Sequence, residues 1–180
     1  MESTYGNRLH ESNDSSVNEL IRIIEHTVRR GGNVIIPSFA VGRTQELIYE
    51  LNRFYESSRY YHKLLSDVQV YIDSPMAITT TQVFRRNAQV FDEETKEYIL
   101  SGDNPLDFPN LHFTRTSDES KALNEDKRPK VIISASGMCE AGRIRHHLKH
   151  HLWQENSTVL FVGYQAVGTL GRRLVDGEKQ

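Results

Sequence analysis

One cysteine, Cys139, stands among 180 residues. It has no internal partner, so a disulfide scaffold is excluded. No apolar run approaches the roughly 18 residues needed to cross a bilayer. No basic, apolar and small-residue leader opens the chain, and the expectation is a soluble cytoplasmic domain without a membrane partner. Internal repeats are missing. No G-x-G-x-x-G follows the early apolar runs and no G-x-x-x-x-G-K-[ST] occurs, which counts against dinucleotide and Walker-type phosphate binding. Neither charge dominates: 22 Lys+Arg face 24 Asp+Glu, for a net charge of −2. That balance argues against a protein that coats nucleic acid by charge alone.

What is present is a chain long enough to bury one sizeable core. Its charge is unevenly spread. Residues 91–126 carry ten acids and three bases, whereas 127–180 carry nine bases, four acids and four histidines. A polyanion could dock on that basic third and avoid the acidic middle; a solvated face is the plainer meaning of such a run.

Helical and strand patterns alternate. Val17, Leu20, Ile21, Ile24 and Val28 recur at helical spacing until Gly31-Gly32. Asn33–Ser38 is a continuous apolar run suited to a strand covered on both faces. Leu47, Ile48, Leu51, Phe54 and Tyr55 mark a second helix, and Val68–Asp73 a second strand. Pro75 can open a helix, since its missing N–H would be unpaired in a first turn. That helix is expected to reach Val90, with another at Asp92–Leu100. After a turn-rich stretch at 101–110, strands are expected at Leu111–Thr114, Lys130–Ser134 and Thr158–Val162, and helices at Ala141–Trp153 and from Gly168 to Val175. The alternation predicts an α/β fold: a three-layer, Rossmann-like, mostly parallel sheet with helices on both faces.

Ligands of such sheets gather beyond the carboxyl ends of the strands. The loops there are Pro37–Arg43, Asp73–Ala77, Ser134–Arg143 and Gly163–Gly171, together rich in Gly, Ser, Thr and Arg. Small residues let backbone N–H groups approach an anion, and helix N-termini favour negative charge. The same composition also suits ordinary tight turns.

Five ordered blocks make the pattern specific: ESTYGNRLH at 2–10, GGNVIIPSFAVGRTQELIYEL at 31–51, VYIDSPMA at 70–77, VIISASGMCEAGRIRHHLKHHL at 131–152 and TVLFVGYQAVGTLGRRL at 158–174. Together they resemble the β-CASP region of metallo-β-lactamase-fold ribonucleases, the group of the mRNA 3′-end processing endonuclease and its bacterial and archaeal relatives. The resemblance implies an RNA-clamping cap for a zinc-dependent hydrolase. In that family the lactamase half carries two zinc ions on an HxHxDH signature, a further His and an aspartate, with two more histidines in segments like SAHxD and VHG. None of these motifs occurs in this sequence. Residues 1–180 are therefore expected to be a single β-CASP domain excised from the enzyme, with no metal site of its own and no hydrolytic activity alone. Single-stranded RNA and the missing half are the expected partners, and separation from that half could promote self-association.

Resemblance implies that Glu2, in the parent, orients a histidine that protonates the leaving oxygen; in this chain alone it reads as a surface acid at a terminus. Ser38, Arg43, Ser134, Ser136, Arg143, Tyr164 and Thr169 form the expected RNA-facing rim. Hydroxyls and guanidinium groups suit phosphate, and Tyr164 could stack on a base. Asp73 is expected to cap the helix after it, with lining of the site as a second role.

His146, His147, His150 and His151 supply two i, i+4 pairs, a spacing that can chelate zinc. On a helical wheel they span an arc of about 140°, too wide for one ion. His147 and His151 fall beside the apolar stripe of Ile144, Leu148 and Leu152, and His146 and His150 on the outer face, so the reading is structural. Cys139 near a helix start could have a lowered pKa, but His147 is too far along the helix to serve as its base, and it reads as inert. Two other readings stay open: a stand-alone Rossmann-like nucleotide- or protein-binding module, and the cap of a DNA-directed β-CASP nuclease.

Overall fold

A computed structural model describes residues 13–100, 102 and 104–178. Glu2 and the first sequence block lie outside them. The elements are α1 (Asn13–Arg29), β1 (Val34–Pro37), α2 (Arg43–Ser57), α3 (Arg59–Ser66), β2 (Gln69–Ile72), α4 (Pro75–Arg86), a 3₁₀ turn (Ala88–Val90), α5 (Glu93–Leu100), β3 (Leu111–Phe113), α6 (Ser117–Glu125), β4 (Lys130–Ser134), α7 (Ile144–His151), β5 (Thr158–Val159) and α8 (Leu170–Val175). The five strands form one parallel sheet in the order β3-β2-β4-β1-β5.

Alternation along each strand sorts side chains onto two faces. Val34, Ile36, Val70, Ile72, Val131 and Ile133 share one buried cluster with Ile21 and Ile24 of α1, Ile48 and Leu51 of α2, Leu65 of α3 and Ile78 of α4. Ile35 and Ile132 face the other way, against Leu123 of α6 and Ile144 and Leu148 of α7, with Leu170 and Leu174 of α8 alongside. The three-layer α/β architecture is thus present. Each fully buried Ile or Leu contributes about 1.5–3 kcal/mol relative to exposure.

Local chemistry sets the boundaries. Pro75 occupies the first turn of α4, and the Ser74 hydroxyl accepts the Ala77 N–H at 3.3 Å. Capping therefore belongs to Ser74, which corrects the expectation for Asp73. Helix α4 stops at Arg86, short of Val90, where Asn87 leaves helical geometry. Helix α7 starts at Ile144 rather than Ala141, because Gly142 takes φ +79°. Strand β5 pairs only through Thr158 and Val159, not to Val162. Helices α3 and α6 were not anticipated. Behind α1, a Cβ on Gly32 would fall 1.7 Å from the Asn156 carbonyl oxygen, so only glycine permits the chain to pass there.

Candidate nucleic-acid interface

Main-chain hydrogen bonds fasten the strand ends together. The Ser38 N–H donates to Ser134 O at 3.0 Å, the Asp73 N–H to Ile133 O at 2.9 Å and the Thr114 N–H to Ile72 O at 3.2 Å. At their centre Asp73 is fully buried. Its Oδ1 accepts from Thr114 Oγ1 and, at 2.7 Å, from Arg143 Nη1; its Oδ2 accepts from Ser120 Oγ and, at 2.6 Å, from His147 Nε2. Ser134 Oγ donates to the Asp73 carbonyl at 2.8 Å. Burial alone would push the carboxyl pKa up, but hydrogen bonds from His147, Ser120, Thr114 and Arg143 outweigh it and hold the pKa at about 2. A carboxylate has about four acceptor positions, and all are filled. Asp73 is therefore an ionised anchor with no spare lone pair for a metal or a proton in transit.

Arg143 is the anchored group. Its guanidinium also donates to Thr114 O at 3.1 Å and Arg115 O at 2.8 Å, and the side chain is only 18% exposed. Most of its donor capacity is spent inside the protein, on the geometry of its own loop. Within that loop the Ser136 N–H donates to Ala141 O, the Ala141 N–H to Ser136 Oγ at 3.2 Å and the Ile144 N–H to Ala135 O. The 163–171 loop docks against it: Gln165 Nε2 donates to Gly137 O at 2.9 Å, the Gly171 N–H to Met138 O and the Leu170 N–H to the Glu140 carboxylate.

The structure brings Asp73, Ser134, Ser136 and Arg143 together, with the Tyr164 and Thr169 loop packed beside them. Ser38 and Ser134 are buried and committed to loop contacts, Ser38 Oγ accepting from Thr44 Oγ1 at 3.0 Å. Thr169 caps α8, accepting the Arg172 N–H and donating to Ala166 O at 2.7 Å. Arg43 stands apart. It pairs with Glu46 at 2.8 Å and lines a groove of about 350 Å³ between α1, α2 and residues 160–162. Tyr164 is exposed on the rim, as are Phe39, Val41, Met76 and Val167 of the neighbouring strand-end loops.

The sequence of these loops, on this sheet, has known counterparts. A profile of the Beta-Casp domain matches residues 44–174. The chain belongs to the Beta-Casp domain family. Ribonuclease TTHA0252 of Thermus thermophilus is 39% identical over 175 residues, covering 97% of this chain and 39% of that protein. An RNase J-like protein of Methanocaldococcus jannaschii is 35% identical over 182 residues, covering all of this chain and 40% of that protein. Transcription termination factor FttA from the same organism is 35% identical over 186 residues, covering all of this chain and 28% of that protein. The chain thus spans two fifths or less of the length of these curated relatives.

Sequence reasoning did not find the partners that this Beta-Casp domain gathers around Asp73 (Thr114, Ser120 and His147), nor Asn124 behind His147. The one signal was His147 beside the apolar stripe, which marks it as inward-facing. It is buried together with His151, whereas His146 and His150 are exposed on the outer face. Among the described residues no three His, Cys, Asp or Glu side chains converge to hold a metal ion, and among them no helix is long and apolar enough to cross a membrane. The donors gathered around Asp73 do not fit a zinc centre, since both carboxylate oxygens are already taken by Thr114, Arg143, Ser120 and His147.

Cys139 does not lie at a helix start. It sits in the loop before α7 with φ 64°, fully buried, and burial, with Glu140 nearby, pushes its thiol up to about 11. Almost none is thiolate at neutral pH. An aromatic disulfide reagent should therefore label the native chain at least 100-fold more slowly than the denatured chain, which should take up one equivalent. Native labelling at the rate of a free thiol would contradict this burial.

Proposed function

We propose that this Beta-Casp domain is the RNA-clamping cap of a cytoplasmic metallo-β-lactamase-fold ribonuclease, a metal-dependent hydrolase. One observation carries the reading: the Beta-Casp match, residues 44–174, runs through the 73–77, 134–143 and 163–171 loops, the first two joined by Arg143 on Asp73 and the last two by Gln165 on Gly137. The relatives named as ribonucleases support it. Residues 1–180 act as one domain, and the lactamase half is its partner. Two zinc ions would be held by that half, not by residues of this chain, and would supply Lewis-acid activation of water there.

What the chain's own residues do is hold and orient RNA. Ser136 and Tyr164 face it, Tyr164 by stacking and Ser136 at phosphate oxygens, whereas Arg43, paired with Glu46 on its separate groove, lies off that rim. Asp73, Ser38, Ser134, Arg143 and Thr169 keep the loops that present them in place. Glu2 serves only in the complete enzyme.

The test is fluorescence anisotropy with a labelled single-stranded RNA. Binding should weaken steeply between 50 and 200 mM salt, because phosphate contacts release counterions. Tyr164→Ala should lower affinity about 10-fold, in keeping with a stacked base worth about 1–3 kcal/mol. No binding at low salt would overturn the reading. So would EDTA-sensitive cleavage of RNA by the 180-residue chain, which would place the hydrolytic centre here. Tighter binding of the matched DNA would instead favour a DNA-directed cap.

A further inference from the structure

Behind the Asp73 carboxylate lies a second layer of buried polar groups. His147 turns its Nε2 to Asp73 Oδ2 at 2.6 Å and its Nδ1 to Asn124 Oδ1 at 2.8 Å. His151 reaches the same Oδ1 through Nε2 at 3.2 Å. Asn124 Nδ2 points at the main-chain carbonyl of Ser120, 3.4 Å away.

The direction of each bond follows from what each group can do. A main-chain carbonyl only accepts, so the contact to Ser120 directs Asn124 Nδ2 toward it and leaves Oδ1 facing both histidines. An ionised carboxylate also only accepts. His147 therefore stands between two acceptors, and each ring nitrogen must bring a hydrogen. A ring donating through one nitrogen would leave the other pressed lone pair to lone pair against oxygen, beside a fully buried His147 and a half-buried Asn124, which is costly.

We propose that His147 and Asn124 are positioning residues for the 135–143 loop: His147 donates through both ring nitrogens, to Asp73 and to Asn124, and so fixes the carboxylate that anchors Arg143. The mechanical sense is direct. His147 and Ser120 pin Oδ2, Thr114 and Arg143 pin Oδ1, and the carboxylate plane cannot turn. Asn124 sets the ring that sets the carboxylate. Arg143 then ties the loop to the carbonyls of Thr114 and Arg115. Neither His147 nor Asn124 touches RNA; they act through Arg143 on the loop that carries Ser136. The RNA consequence rests on the cap reading, whereas the loop consequence stands without it.

The test uses Asn124, which is half-buried, and so avoids emptying the buried His147 position. Asn124→Asp keeps an acceptor in place and Asn124→Leu removes it. Long-range ¹H–¹⁵N spectra of the His147 ring should show hydrogens on both nitrogens in the wild-type chain and in Asn124→Asp, and on one only in Asn124→Leu. Hydrogen exchange at the Ser136, Cys139 and Ile144 amides should quicken about 10-fold in Asn124→Leu and stay at wild-type rates in Asn124→Asp, with the Leu160 amide on the far side of the sheet unchanged in both. RNA affinity should fall about 10-fold in Asn124→Leu alone. A bare Nδ1 in the wild-type chain, or equal loosening by Asp and Leu, would overturn the proposal. If the loop responds as expected but the wild-type chain binds no RNA, the positioning role stands and the cap reading fails.

Discussion

Replacing Asp73 with alanine should bring the chain to the edge of unfolding. The substitution strips one acceptor from four donors at once: Thr114 Oγ1, Ser120 Oγ, Arg143 Nη1 and His147 Nε2. Removing one partner of a buried, hydrogen-bonded charge costs about 3–5 kcal/mol, because the other is left uncompensated. Against a total stability of about 5–15 kcal/mol, that is a large share. Urea denaturation followed by circular dichroism would measure it, and a loss below about 1 kcal/mol would show that the four bonds carry little net weight. Asp73→Asn should cost less, as it keeps an acceptor, but it should also change the acid limb. Folding lowers the Asp73 pKa to about 2 from an ordinary value near 4. The stabilisation is therefore complete above about pH 4 and is lost as the pH falls from there through 2, an effect on the order of 2 kcal/mol. The asparagine variant should lose most of that slope. Asp126, also held at about 2 by Arg128, lies near the surface and contributes a smaller remainder.

Gly142→Ala should be the next most damaging change, and it strikes the candidate interface directly. Gly142 has φ +79°, and a Cβ there would lie 2.4 Å from the Ala135 carbonyl oxygen. That carbonyl accepts the Ile144 N–H, so moving it breaks the bond that closes the loop ahead of α7. A left-handed backbone with a side chain costs about 1 kcal/mol or more on its own, and the collision adds to it. We expect a loss of about 2–4 kcal/mol by thermal denaturation. Single-stranded RNA affinity should fall with it, measured where the variant remains folded. A variant with wild-type melting behaviour would show that the loop has room to shift.

The layers of the fold were legible because β1 and β4 are continuous apolar runs and α1 and α2 carry clean apolar stripes. Such local patterns reflect what each segment must bury, whatever its partner. Helix α6 hid because Ser117–Glu125 buries only Leu123 among its large apolar side chains. Its signature was the reciprocal cap of Thr116 and Glu119, where the Glu119 N–H donates to Thr116 Oγ1 and the Thr116 N–H to the Glu119 carboxylate. Helix α3 is eight residues long and buries only Leu65, too little for a periodicity to register. The site was legible only in outline. Its loops could be placed from the rule about strand ends, but the pairing of Asp73 with His147 spans 74 positions. No spacing rule connects an acid at the end of β2 with an imidazole on α7. The link exists because β2 and β4 are neighbours in the sheet and α7 packs behind them. Arg143 shows the converse case: its residue type suggested phosphate, but burial beside a carboxylate turned it inward.

The sheet is longest in its middle and shortest at its rims, where β3 has three residues and β5 two. A rim that short offers an incoming polypeptide few free main-chain donors and acceptors in register, so lateral growth of the sheet into a neighbouring molecule gains little. The taper protects an otherwise strongly apolar set of parallel strands from the stacking that leads to aggregates.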